Sequence, residues 1–118
     1  MNYVCLVYGE ESYIEALGKE GLAELDRRSV AYDKSVEKTG KLVIAQALQS
    51  VKTSTTIRKR SGKVVATDGP FAETKEQLLG FVMLDVESLE EALEIAGKIP
   101  IAEWGTIEVR AVYVVPGR

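Results

Sequence analysis

Two stretches of this chain are apolar on both faces of a strand, and that limits the folds open to it. Residues 2–8 alternate Tyr3, Cys5 and Val7 with Val4, Leu6 and Tyr8. The run Leu78-Leu79-Gly80-Phe81-Val82-Met83-Leu84-Asp85-Val86 behaves the same way. Strands of this kind belong inside a sheet whose two faces are both covered. Gly80, inside the second run, predicts a bulge or a close backbone approach.

The remaining elements fall around these two. Residues 11–38 carry helical spacing, with Ser12 as a capping residue and Gly18 and Gly21 weakening the middle. One broken helix and a short helix followed by a longer one fit equally well. Leu22, Leu25, Ser29, Tyr32 and Val36 step by three and four along one stripe, and Gly40 follows as a helix-ending residue. Residues 41–49 read as a strand. Thr55–Arg60 and Lys63–Thr67 read as a polar hairpin, solvent-facing or at a sheet edge, around Ser61-Gly62. Ser88-Leu89-Glu90-Glu91 is a capping box. The helix it opens carries Leu89, Ala92, Leu93, Ala96 and Ile99 on one side and stops at Pro100. The last strand is predicted over Thr106–Val115.

The order is thus strand, helix, strand, hairpin, strand, helix, strand, in a single domain over residues 1–118. Two helices on one face of an antiparallel sheet give an α+β sandwich of ferredoxin-like type. They leave the second face bare. At roughly 25 cal/mol per Å² of apolar surface, wetting several aliphatic side chains forgoes several kcal/mol. A homodimer packed sheet against sheet is the expectation.

Composition narrows the function classes. The chain has no His and one Cys, which removes the commonest zinc ligand and general base and any internal disulfide. No metal site and no cofactor are expected. Cys5 reads as a small core hydrophobe. A net charge of −3 and a basic run confined to Arg58-Lys59-Arg60 and Lys63 argue against nucleic-acid binding. No apolar run approaches the roughly 20 residues needed to span a bilayer. The opening residues lack the basic region of a signal peptide, so the expected location is cytoplasmic.

Chemistry concentrates between the hairpin and the strand that follows, in Thr67-Asp68-Gly69-Pro70-Phe71-Ala72-Glu73-Thr74-Lys75-Glu76. Pro70 fixes its own φ and drives Gly69 out of the α region, so the turn holds the Asp68 carboxylate in one place. Asp68 is then an acid, a base or an acceptor, or else the side chain of an Asx turn. Glu73 is a second carboxylate for the same pocket or a solvated charge. Phe71 reads as a core plug pinning the loop, with ligand stacking as the alternative. Lys75 and Glu76 read as surface residues. Arg110 alternates with apolar residues on the last strand and needs a partner, which Asp68, Glu73 or an anionic ligand supplies. Tyr8 brings a phenol to the end of the first strand.

The segment Asp68-Gly69-Pro70-Phe71-Ala72-Glu73-Thr74-Lys75-Glu76-Gln77-Leu78, with Gly80-Phe81 after it, resembles the signature of the DGPF (DGPFAETKE) proteins. These are a branch of the YCII-related (YciI-like) superfamily. Met1–Gly9, Gly40-Lys41-Leu42, Ser88–Ala92 and Ile107–Arg110 also sit where that family has them, so the resemblance spans nearly the whole chain. It implies a ferredoxin-like α+β fold that dimerises into an α/β barrel, and a cleft near the motif proposed as an active site. A related YCII-type protein is a dehydrochlorinase of a chlorinated hydroquinone, and some DGPF proteins accompany extracytoplasmic-function sigma factors. YCII relatives often carry a His–Asp dyad. Asp68 matches its carboxylate, but this chain has no histidine to match the other half.

Two readings follow. In the first, the protein is a lyase- or isomerase-like enzyme using Asp68 and Glu73 as acid and base. Arg110, Tyr8, Gly69, Pro70 and Phe71 then bind a small anionic or phenolic ligand. In the second, it is a non-catalytic ligand-binding or regulatory module linked to a sigma factor.

Overall fold

The structure, a computed structural model, describes residues Met1–Arg118. Its elements are β1 (Asn2–Gly9), α1 (Glu11–Ala16), α2 (Gly18–Lys38), β2 (Leu42–Ala47), β3 (Thr55–Arg60), β4 (Lys63–Asp68), β5 (Gln77–Asp85), α3 (Leu89–Ala96) and β6 (Thr106–Ala111). Short 3₁₀ turns occupy Val51–Thr53 and Pro100–Glu103. Four strands form an antiparallel sheet in the order β2-β5-β1-β6, while β3 and β4 pair only with each other. Each strand–helix–strand crossover therefore passes over one intervening strand, an arrangement consistent with a ferredoxin-like α+β fold.

The two runs that are apolar on both faces become the two central strands. Alternation on β1 buries Tyr3, Cys5 and Val7 and leaves Val4, Leu6 and Tyr8 half-buried on the other side. Cys5 stands between Val82 and Val109, and Tyr3 between Leu84 and Ala111. Val36 from α2 and Ala92 and Ala96 from α3 close this face into one core. The Tyr32 hydroxyl donates to the Ile95 carbonyl at 2.9 Å, joining the two helices. Burial pushes the Cys5 thiol up to about 11, so it stays protonated and packs as a small apolar group.

The opposite face has no helix on it. Val4 and Leu6 lie against Met83 and Phe81 there, with Ile44 beside Met83 and Arg110 opposite Val4. Ile44 is 40% exposed. Only 14 of 118 residues are buried, and the accessible surface is 8460 Å². A compact chain of 12.9 kDa exposes roughly 6,300 Å². The radius of gyration, 16.3 Å, likewise exceeds the roughly 13.5 Å of a compact chain this long. Part of the excess is the β3–β4 hairpin, nearly all of whose residues are exposed.

Several boundaries differ from the sequence reading. The helical stretch resolves as a short helix and a longer one, with Leu17 between them and Gly18, the first residue of α2, at φ 71°. Ser12 does not cap the first helix. It lies inside α1, and the Glu11 amide donates instead to the Gln77 side chain at 2.9 Å. Ser88 caps α3 by accepting from the Glu91 amide. The Glu91 carboxylate does not complete the reciprocal box, because it pairs with Lys41 at 2.7 Å. α3 stops at Gly97 rather than at Pro100, which opens the following turn. Its buried stripe is Ala92 and Ala96, while Leu89 and Leu93 stay exposed. The last strand ends at Ala111 rather than at Val115. Tyr113 and Val114 beyond it are more than three-quarters exposed.

Gly80 meets its expectation for a visible reason. A Cβ there would lie 2.5 Å from the Gln46 carbonyl oxygen, so β2 approaches too closely for any side chain. The register between β1 and β5 also slips beside it, between Val7 and Tyr8. No helix is long and apolar enough to cross a membrane.

Candidate functional site

Asp68 closes β4 opposite Thr55. The next residue, Gly69, has φ +97°, a conformation that costs glycine little and other residues much. Its amide donates to the Ser54 carbonyl at 2.8 Å, and its carbonyl accepts from the Thr56 hydroxyl at 2.7 Å. Backbone bonds therefore hold this turn. The Asx turn does not form, and the Asp68 side chain has no hydrogen-bond or ion-pair partner. Further along, the Thr74 hydroxyl donates to the Glu76 carbonyl at 2.6 Å, and the Gln77 amide side chain donates to the Thr74 carbonyl at 2.6 Å. Glu76 is more than a surface charge, since its carboxylate accepts from Thr106 at 2.8 Å and ties the loop to β6.

This loop forms one wall of a cleft of about 910 Å³. The facing wall is the Ser50–Ser54 connection, and Tyr8 and Leu78 contribute from the sheet. The Glu11 carboxylate fixes the facing wall by accepting from the Ser50 hydroxyl at 2.7 Å and the Val51 amide at 2.9 Å. Glu11 and Gln77 thus brace the two sides, Gln77 through its bond to the Glu11 amide. Sequence reasoning missed both. A polar residue at the start of a helix or strand carries no signal of the distant loop it holds.

Of the residues singled out from sequence, Tyr8, Pro70, Phe71 and Glu73 line this cleft together. Asp68, Gly69 and Arg110 do not. Asp68 is exposed on the hairpin. Arg110 is exposed on the open sheet face opposite Val4, and it pairs with neither Asp68 nor Glu73. An exposed guanidinium is solvated, so it does not need the partner that the sequence argument assigned to it. Phe71 is not a core plug, since its residue is 75% exposed. The Gly69-Pro70 turn is clamped to β3, and Phe71 follows it outward beside the cleft. Lys52 is the cleft's one cation and also reaches Glu15 at 3.4 Å. No group of three or more His, Cys, Asp or Glu side chains is placed to hold a metal ion.

A smaller pocket of about 90 Å³ lies elsewhere, between α2, the β2–β5 edge and the Pro100 turn. Asp33 is its one charged lining residue. Burial holds the Asp33 carboxyl above its usual range. Its charged form therefore weighs against the native state above that range, and the cost disappears as the native state takes up the proton on acidification. Asp33→Asn is expected to raise the urea midpoint at neutral pH. At a pH of about 3, where the unfolded chain also carries the protonated acid, the gain should vanish. Urea titrations at both pH values check this, and an equal gain at both would contradict it.

Fold and cleft together define a small α+β protein whose four-stranded sheet presents a loop-walled cleft at one end. The chain belongs to the YCII-related domain family, whose model matches residues 1–116. It is similar to an uncharacterized protein of Rhizobium meliloti (strain 1021), 39% identical over 112 residues that cover 93% of this chain and 90% of that protein.

Proposed function

We propose that this chain is a DGPF-type member of the family that binds a small phenolic or other aromatic ligand in the cleft beside its DGPF loop. The observation that carries the reading is the exposed ring of Phe71 beside the same cleft as Tyr8, Pro70 and Glu73. An apolar ring left three-quarters exposed adds nothing to the core, but it offers a face for stacking. One Lys against Glu73 and Glu76 in the lining favours a phenol over a strongly anionic ligand. The chemistry such a cleft serves is proton transfer at a phenol or enol, with Glu73 taking and returning the proton. Asp68 stands outside the cleft, so its share in that chemistry is secondary.

The assembly we propose is a homodimer formed through the open sheet face, which pairs two sheets into the α/β barrel that the DGPF resemblance implies. What supports it is the uncovered apolar set of Val4, Leu6, Ile44, Phe81 and Met83, together with the excess accessible surface.

Amide-resolved NMR titration with phenol tests the ligand reading. Saturable shifts are expected at Tyr8 and along residues 71–77. Phe71→Ala should weaken binding by about tenfold, the scale of one lost aromatic contact with its buried area. Shifts that are absent, or that Phe71→Ala leaves unchanged, would remove the reading.

A further inference from the structure

We propose that the pocket beside Asp33 is a second binding site, distinct from the DGPF cleft, and that it takes the ammonium end of a small alkylamine.

The sequence makes the pocket by placing small residues on facing elements. Ala45 and Ala47 on β2, Gly80 on β5 and Ser29 on α2 leave a gap between helix and sheet. The gap is about 90 Å³. One water occupies about 30 Å³ of liquid, and a cavity of about 150 Å³ holds a benzene ring. The space is smaller than a cavity that encloses a ring, and it takes a few heavy atoms, such as an ammonium group and the first carbons of an aliphatic chain. Most of the lining is apolar, and Asp33 supplies its single charge.

Ser29 and Asp33 are four residues apart on α2 and so share a face. Neither side chain has a hydrogen-bond or ion-pair partner within the protein. The Tyr32 hydroxyl next to them is already committed to the Ile95 carbonyl. A partly desolvated carboxylate with no cation beside it is the group whose cost an incoming cation would relieve. A primary ammonium supplies one positive charge and three donors, matching one carboxylate and one hydroxyl. Calcium and magnesium do not fit, since the first needs six or more oxygen ligands and the second a near-ideal octahedron, and one carboxylate is present. The apolar walls require that the cation carry an aliphatic body.

NMR titration of the whole chain with n-butylammonium chloride at constant ionic strength tests the proposal, with n-butanol and tetramethylammonium as controls. Butylammonium is expected to shift the amides of Asp33, Ala45, Ala47 and Gly80 saturably, with a dissociation constant of about 1–10 mM. Butanol has the chain without the charge, and tetramethylammonium has the charge without donors, so neither should saturate. Asp33→Asn should weaken binding by about tenfold or more, the equivalent of one charge-assisted contact. Ser29→Leu, which keeps the carboxylate and fills the gap, should abolish the shifts. Equal binding of butanol, no saturation below about 50 mM, or an unchanged affinity in Asp33→Asn would each overturn the proposal. Phenol binding at the DGPF cleft is read from different amides, so the two sites stand or fall separately.

Discussion

Leu84→Ala is expected to lower the unfolding free energy by about 3 kcal/mol or more, within the roughly 2–5 kcal/mol typical of such core truncations. Leu84 is fully buried on a central strand, between Tyr3 on β1 and Leu42 on β2. Both neighbours belong to fixed strands, so the cavity cannot collapse easily. Domains of this size have roughly 5–15 kcal/mol of stability, and the loss is a large share of it. Leu93 provides the control. Its residue is 50% exposed on α3, and Leu93→Ala should cost less than about 1 kcal/mol. Urea unfolding at fixed protein concentration measures both, with a shifted midpoint and an unchanged slope. Equal costs for the two variants would show that this face of the sheet is not the core.

Leu6→Glu is expected to convert a homodimer into monomers while leaving the fold intact. Leu6 is on central strand β1, between Phe81 and Glu108, and points away from the helices. Period-two alternation separates its face from that of Cys5 and Val7, so the substitution spares the core. In a sheet-against-sheet dimer the new carboxylate would be buried once from each chain. The effective penalty is several kcal/mol per ion, on the order of a thousandfold or more in dissociation constant. The measurement is sedimentation equilibrium at micromolar concentration, with far-UV circular dichroism to confirm retained structure. A wild-type chain that sediments as a monomer, or a Leu6→Glu chain that remains a dimer, would refute the sheet-face assembly. The surface excess of roughly 2,100 Å² per chain, part of it on the hairpin, exceeds the roughly 800 Å² that each partner buries in a standard interface.

Most of the fold was legible because it rests on local periodicity. The alternation in residues 2–8 and 78–86 selected the two central strands, and Gly80 announced the close approach of β2. Ser61-Gly62 placed the hairpin turn, with both residues at positive φ. The errors lie where a distant partner sets the boundary. Helix α1 begins one residue before Ser12 because Gln77, 66 residues away, accepts from the Glu11 amide. β6 ends at Ala111, and beyond it only the Val112 amide still reaches β1, donating to the Asn2 carbonyl at 2.9 Å, although Tyr113 and Val115 continue the alternation. Leu89 and Leu93 match a helical stripe, but α3 turns Ala92 and Ala96 inward because small side chains let it sit close to the sheet.

The candidate site divides in the same way. The motif in residues 68–77 identified the loop, and Tyr8, Pro70, Phe71 and Glu73 meet at one cleft. Asp68 and Arg110 do not line it: Asp68 is exposed at the end of the hairpin, and Arg110 is exposed on the open sheet face opposite Val4. The residues that brace the walls, Glu11 and Gln77, and the lone carboxylate Asp33, have no motif around them. By itself the sequence determined the two central strands, the α+β order and the glycines at Gly69 and Gly80. Each of these follows from the geometry of a residue and its near neighbours along the chain. Only the tertiary structure decided that Phe71 lies outside the core, that Glu73 lines the cleft and Asp68 does not, and that Asp33 lines a pocket. Exposure and proximity depend on which segments the folded chain brings together, and a side chain's own chemistry does not specify them.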